Sequence, residues 1–148
     1  MTLSPRQPYG QAAATIIAAR SKAVFACRRK EVLDLREIEG VHSMRVATRR
    51  LRAALEVFGP CFERKRAGRA LAEVKALAAA LWERRDRDVQ LDLLDRLRPK
   101  CHAAERRALD LLAGELREEQ NEANHALGAA LRRAKRIGLR RRLARLTR

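Results

Sequence analysis

The chain contains 148 residues, of which 47% are hydrophobic, 35% are charged and only 3% are aromatic. That length is enough for one domain with a hydrophobic core. Lysine and arginine number 34 against 18 aspartate and glutamate residues, so the formal net charge is +16 at pH 7. Folding does not require this excess and self-repulsion opposes it, so the composition indicates a polyanionic partner.

The composition also limits the fold class and the compartment. Ala, Leu, Arg and Glu dominate and β-branched residues are scarce, so an all-α fold is expected. No apolar run approaches the ~18 residues of a membrane span, and nothing resembles a secretory signal. Cys27, Cys61 and Cys101 show no close pairing pattern. We therefore expect a cytoplasmic protein without a membrane span.

The N-terminal part of the chain is predicted to lead into a single helical domain. Residues 1–8 contain two prolines and indicate a flexible lead-in, and residues 9–148 form the domain. The first helix is predicted from Tyr9 to the mid-thirties. Glu39-Gly40 is predicted to be its terminus, because glycine favours the position just past a helix end.

The second helix is predicted from Val41 to Phe58 and shows the clearest periodicity in the chain. Its seam residues recur at intervals of three and four, as in a bundle helix. They are Val41, Met44, Thr48, Leu51, Leu55 and Phe58. Gly59-Pro60 is predicted to end this helix.

The third helix is predicted over residues 66–97. Its buried face comprises Leu71, Val74, Leu77 and Leu81. After Asp88 the apolar positions shift around the helix to Val89, Leu93 and Leu97. A bend or a change of packing partner is expected there.

The C-terminal part is predicted to form one more long helix and one short helix. Pro99 separates the fourth helix, residues 102–134, and Gly138 precedes the last helix, which carries Leu139, Leu143 and Leu146. Short connections between long amphipathic helices favour antiparallel packing. The predicted fold is an antiparallel bundle of about four long helices plus a short C-terminal helix.

The basic residues of the second and third helices are not evenly distributed. At 100° per residue, one stripe beside the apolar seam of the second helix contains His42, Arg45, Arg49 and Arg52. Arg50 points away from it. A similar stripe on the third helix contains Lys75, Trp82 and Arg85. Two such stripes on antiparallel helices predict a cationic groove.

The C-terminal segment is also strongly basic. Residues 131–148 hold nine lysine and arginine residues and no acidic residue. This composition is compatible with polyphosphate, nucleic acid or an anionic membrane, so it does not discriminate between them.

Two sequence blocks closely resemble the CHAD family, the conserved histidine α-helical domain. The first is VHSMRVATRRLRAALEVFGPCF at residues 41–62. The second, VKALAAALWERRDRDVQLDLLDRL at residues 74–97, is similar to the Leu-Lys helix of that family, which ends in an Arg-Asp-x-Asp-Val segment. The order and spacing of the two blocks make the resemblance specific.

The resemblance implies two related four-helix bundles around a basic channel, binding of inorganic polyphosphate and, in some members, association with storage granules. The residues that it implies contact the ligand are His42, Arg45, Arg49, Arg50 and Arg52 in the first block, and Lys75 and Arg85 in the second. The helical projection supports all of these except Arg50.

Three features depart from the family pattern. Ser43 stands where aspartate is usual, and Trp82 places a large ring where glycine is usual. The chain has one copy of the motif pair and about half the usual domain length, so it is either a half-domain or a fragment. We expect a half-domain that forms a two-fold homodimer, because a symmetric pair repeats one basic face across a shared groove.

Other functions are less favoured by the sequence. The shortage of aromatic residues is unlike single-strand nucleic-acid binders, although non-specific affinity for nucleic acid is expected at low salt. A granule-docking adaptor remains an alternative. The Glu-x-Glu-x-Lys signature of tunnel-type triphosphatases is absent, since Glu39 is followed at the second position by Val41. Asp86 and Asp88 are interpreted as arginine partners, with a metal-bridged phosphate contact as the alternative. We predict no catalytic residue, no metal site and no cofactor.

Overall fold

The computed structural model describes residue 4 and residues 6–148, and these residues form helices and connecting turns without a strand. The α-helices are α1 Tyr9–Ala26, α2 Arg29–Val32, α3 Glu39–Phe58, α4 Arg64–Leu97, α5 Ala103–Arg136 and α6 Leu139–Leu146. The predicted all-α fold is confirmed, with four long helices and a short C-terminal helix. The predicted lead-in, residues 1–8, lies partly outside the described residues.

The N-terminal helix is shorter than predicted. It ends at Ala26, and Cys27 and Arg28 adopt an extended conformation before the single turn of α2. The break lets the chain turn so that Val32, with no exposed surface, packs into the core. The prediction of one helix into the mid-thirties is wrong, because tertiary packing decides the break and no Gly or Pro marks it.

Glu39 and Gly40 begin α3 instead of ending the first helix. The connection before them is a tight turn in which the Asp34 carboxylate accepts hydrogen bonds from the backbone N–H groups of Arg36 and Glu37, at 2.8 and 3.2 Å. A Cβ atom at Gly40 would overlap the backbone carbonyl of Glu31. The glycine is therefore needed for the close approach of α2 and α3.

The core lies between α1, α3 and α4 and is closed by α5 and α6. The predicted seam of α3 is confirmed, since Val41, Met44, Thr48, Leu51 and Leu55 are all buried. Burial of a side chain such as leucine contributes about 1.5–3 kcal/mol. This packing fixes α3 against α4, and it therefore fixes the relative position of their outer faces.

The C-terminal connections follow the prediction more closely. Arg98–Lys100 forms a 3-10 turn between α4 and α5. The Arg98 guanidinium donates two hydrogen bonds, of 2.7 and 3.0 Å, to the Asp110 carboxylate. Gly138 has a φ of 64°, a left-handed conformation that glycine adopts readily, and it redirects the chain into α6.

The distal end of the α4–α5 pair, residues 89–116, is largely exposed and is called the distal hairpin below. Residues 102–112 are exposed except for half-buried Leu109. Val89, Leu93 and Leu97 are 49%, 54% and 39% exposed. This apolar face is therefore largely uncovered within the described chain. Helix α4 runs without interruption from Arg64 to Leu97, and the predicted bend or change of packing partner stays a prediction.

Candidate anion-binding site

A groove between the outer faces of α3 and α4 brings together four of the predicted site residues. It has a volume of about 450 Å³ and is called the α3–α4 groove below. Ala78 and Ala79 lie along it, and their small side chains leave room between the helices. The charged and aromatic residues that line it are Arg45, Arg49, Arg52, Lys75, Trp82 and Glu83.

Two arginine donors at this groove, and one farther along α4, are buried without a hydrogen-bond partner. The Nε atoms of Arg45 and Arg52 are in this state, and so is Nη1 of Arg85, one turn beyond Trp82 on α4. Leaving a buried donor unpaired costs about 1–3 kcal/mol, and more for a charged group. These donors therefore have hydrogen-bonding capacity that no protein group in the described chain uses.

Two carboxylates reduce the net positive charge at the α3–α4 groove. The Glu56 Oε1 atom lies 3.1 Å from Lys75 Nζ and 3.8 Å from Arg52 Nε, and the second distance is too long for a hydrogen bond. Glu83 lines the same groove. The contact of Glu56 with the groove cations was not predicted from the sequence. Its position four residues after Arg52 nevertheless favours an ion pair on one helix face.

His42 and Arg50 lie apart from these four residues. They line a separate cleft of about 320 Å³ on the side of α3 that faces α1, together with Arg20 and Glu39. The His42 Nδ1 atom is buried there without a hydrogen-bond partner. Of the seven predicted contact residues, four therefore line the α3–α4 groove and two line this α1-facing cleft. The seventh, Arg85, lies farther along α4.

Trp82, the residue that departs from the family pattern, lies at the edge of the α3–α4 groove. Its side chain is 59% exposed. The ring is thus open to solvent beside Arg49 rather than packed into the core, so one of its faces is accessible to a ligand or a partner surface.

A buried polar network holds α4 in place behind the groove. The Arg84 guanidinium has no exposed surface and is paired with the Asp88 carboxylate, to which Gln120 donates a further hydrogen bond of 2.7 Å. Arg84 also donates to Asn124 Oδ1 at 3.2 Å and to the Asp34 carbonyl at 3.1 Å. The network ties α4 to α5 and to the connection before α3.

Burial controls the ionisation of Arg84. It lowers the pKa of Arg84 to about 10, with the nearby Arg85 charge as a second cause. The guanidinium is therefore still charged at neutral pH. Asp86 pairs with Arg87 at 2.9 Å, so the interpretation of Asp86 and Asp88 as arginine partners is confirmed.

Residue 4 and residues 6–148 contain no group of three or more His, Cys, Asp or Glu side chains that could hold a metal ion. None of the helices in the same residues is long and apolar enough to cross a membrane.

One of three comparisons with known proteins gave a match, and that match includes both sequence blocks. The CHAD domain family model matches residues 15–148, so the chain belongs to the CHAD domain family. This family is associated in general with polyphosphate binding. No curated protein and no solved structure matched the chain.

Proposed function

We propose that this protein binds inorganic polyphosphate in the α3–α4 groove. The observation that carries the proposal is the convergence of Arg45, Arg49, Arg52 and Lys75 on one groove that also holds unpartnered guanidinium donors. The chain's membership of the CHAD family supports the same ligand.

The chemistry of the ligand matches the chemistry of the groove. Polyphosphate carries a negative charge on every phosphate unit and has no bases or sugars to be read. Recognition then comes from charge-assisted hydrogen bonds, each contributing about 1.5–3 kcal/mol, and from the release of counterions. Arginine suits this task because its planar fork matches two phosphate oxygens at once.

Nucleic acid is the main competing ligand, and the groove favours it less. Single-strand binders stack successive bases on several aromatic side chains. Trp82 is the one aromatic residue among those lining the described groove. We therefore expect the protein to bind nucleic acid more weakly than polyphosphate, without sequence specificity and only at low salt.

The proposal is for a binding protein and includes no catalytic step. The groove carboxylate of Glu56 is engaged by Lys75 and is not positioned as a free acid or base. Cytoplasmic localisation and association with polyphosphate granules follow as predictions, and docking to granules through the same basic surface is the adaptor alternative.

A homodimer is part of the proposal, with the distal hairpin as the contact surface. Residues 89–116 contain five lysine and arginine residues and five acidic residues, so the whole +16 charge lies in the rest of the chain. Electrostatic repulsion between two copies is weaker where this neutral region forms the contact. The exposed side chains of Val89, Leu93 and Leu97 there give a second copy an apolar surface to cover.

Reversing two groove charges tests the binding site. The variant Arg45→Glu with Arg49→Glu should bind long-chain polyphosphate on the order of 100-fold more weakly, because at least two charge-assisted hydrogen bonds are lost. The matched control is Lys22→Glu with Lys30→Glu, which makes the same change in net charge at exposed positions outside the groove. Circular dichroism checks that helicity is unchanged. Equal losses in the two variants would overturn the site assignment.

A further inference from the structure

A second basic cleft lies on another face of the molecule, between the start of α4 and α6. Its volume is about 550 Å³ and its lining consists of Arg66, Arg69, Ala70, Arg142 and Arg145. Four guanidinium groups therefore surround one concave surface with an alanine at its base. This α4–α6 cleft contains none of the residues that the sequence motifs implicate in ligand binding.

The cleft is a consequence of how α6 packs. After the turn at Gly138, Leu139, Leu143 and Leu146 are buried and fix α6 against the bundle. Arg142 and Arg145, three residues apart, then share the open face of the helix. Ala70 is 2% exposed and allows the α6 side chains to approach α4.

The arginines of α4 complete the cleft. Arg66 and Arg69 are also three residues apart, so they too share one helix face. The Nε atom of Arg66 lies 2.5 Å from Glu63 Oε2, which leaves its other guanidinium nitrogens free of that contact. On α6, the Nε atom of Arg142 donates to the Ile137 carbonyl at 2.9 Å, which orients the rest of its guanidinium.

The Glu73 carboxylate on α4 is hydrogen-bonded to α5, and its charge also interacts with Arg142 of the cleft. Glu73 accepts two hydrogen bonds from Arg133 on α5, at 2.7 and 3.0 Å. This pairing holds the pKa of Glu73 below its ordinary value, so the carboxylate stays ionised and paired with Arg133. Unlike the α3–α4 groove, which has Glu83 in its lining, the α4–α6 cleft is lined by arginines and alanine alone.

The two basic sites lie on different sides of α4. Arg66 precedes Lys75 by nine residues, which corresponds to half a turn around the helix and about 14 Å along it. One phosphate chain can therefore occupy both sites only if it is long enough to pass around the start of α4.

We propose that the α4–α6 cleft is a second anion site that binds a segment of the same polyphosphate chain. Long chains then engage the α3–α4 groove and the cleft together, whereas short chains occupy each site separately. That the long ligand is polyphosphate rests on the proposed function. That the cleft binds an anion rests only on its four arginines. Linking two sites through one ligand raises affinity on the order of 100-fold or more over either site alone.

The test compares chain lengths in two matched variants of α6. Arg142→Gln with Arg145→Gln removes two cleft charges, and Arg140→Gln with Arg141→Gln removes two exposed charges from the same helix. Binding of tripolyphosphate and of long-chain polyphosphate is measured at about 0.15 M salt. The cleft variant should lose at least about tenfold in long-chain affinity, while the control variant should change by less than about twofold. Equal effects in both variants, or no effect in the cleft variant, would overturn the proposal.

A second measurement separates this inference from the proposed function. Titrating tripolyphosphate into the Arg45→Glu, Arg49→Glu protein should still show one binding event, and adding Arg142→Gln with Arg145→Gln should abolish it. Loss of all binding in the first variant would overturn the second site and leave the groove assignment intact. If the cleft substitutions alone abolish binding and the groove substitutions do not, the groove assignment fails and the cleft stands.

Discussion

At the scale of single residues, Glu56 shows that the α3–α4 groove already holds an anionic group of its own. Its carboxylate oxygen lies 3.1 Å from the Lys75 ammonium and 3.8 Å from the nearest Arg52 nitrogen. A phosphate chain that binds here must compete with this carboxylate for the same cations. Glu56 therefore weakens the affinity of the groove for an external anion.

Removing this internal competitor should strengthen binding. We expect Glu56→Gln to raise polyphosphate affinity roughly twofold to fivefold, because exposed ion pairs of this kind are worth about 0.2–1 kcal/mol. Glu118→Gln, which removes the same charge from an exposed position of α5, is the control. Isothermal titration of both variants measures the effect. A Glu56→Gln protein that binds no better than the Glu118→Gln protein would contradict this reading of the groove.

The sequence predicts part of the site, for a geometric reason. Arg45, Arg49 and Arg52 fall on one side of α3 from helix geometry alone, and their groove follows once α4 packs beside them. His42 borders the same stripe, but the position of α1 decides that it lines a different cleft. Leu81, Arg84 and Asp88 lie at intervals of three and four residues and are all buried on the same side of α4. The burial of Arg84 was not predicted, because a charged side chain is usually exposed.

At the scale of secondary-structure elements, Gly40 controls how closely α2 and α3 approach. A methyl group there would overlap the Glu31 backbone, which cannot move away as a flexible side chain can. We expect Gly40→Ala to lower the free energy of unfolding by about 1–3 kcal/mol, the usual cost of overpacking. Urea denaturation followed by circular dichroism measures the change.

Gly68 provides the matched control for that substitution. It lies within α4, is exposed, and has open space around the position of a Cβ atom. Gly68→Ala should therefore raise the free energy of unfolding by about 0.5–1 kcal/mol through helix propensity. A stabilising effect at both positions would show that α2 and α3 are not in close contact at Gly40.

Element boundaries were predictable where a turn residue marks them. Pro60, Pro99 and Gly138 lie at or beside the observed ends of α3, α4 and α5. The break between α1 and α2 has no such marker, because it arises from the burial of Val32 in the core. The exposure of distal-hairpin residues such as Leu93 could not be predicted, because an apolar pattern does not reveal whether a partner lies within the same chain.

At the scale of the whole molecule, net charge is concentrated outside the distal hairpin, and five of the nine exposed large hydrophobic side chains of the described residues lie within it. The distal hairpin is electrically neutral and carries exposed leucine and valine side chains, whereas the rest of the chain holds the entire +16 charge. A protein with this division can associate through its neutral end and keep its basic surfaces free for an anion.

Sedimentation velocity tests the proposed homodimer. The wild-type chain should sediment as a dimer at micromolar concentration, and Leu93→Glu should shift it to a monomer because it places a charge in the apolar contact. Val57→Glu changes an apolar residue of α3 that is 62% exposed and lies outside the distal hairpin, so it should leave the dimer intact. A wild-type monomer, or a dimer unaffected by Leu93→Glu, would contradict this part of the account.

The central claim is that the basic surface recognises polyphosphate rather than polyanions in general. The most direct measurement is a competition titration at about 0.15 M salt, in which labelled long-chain polyphosphate is displaced by single-stranded DNA, duplex DNA or heparin at matched charge. We expect that at least about a tenfold excess of each competitor is needed to displace half of the polyphosphate, a preference of about 1.4 kcal/mol. Displacement by every polyanion in proportion to its charge alone would contradict it.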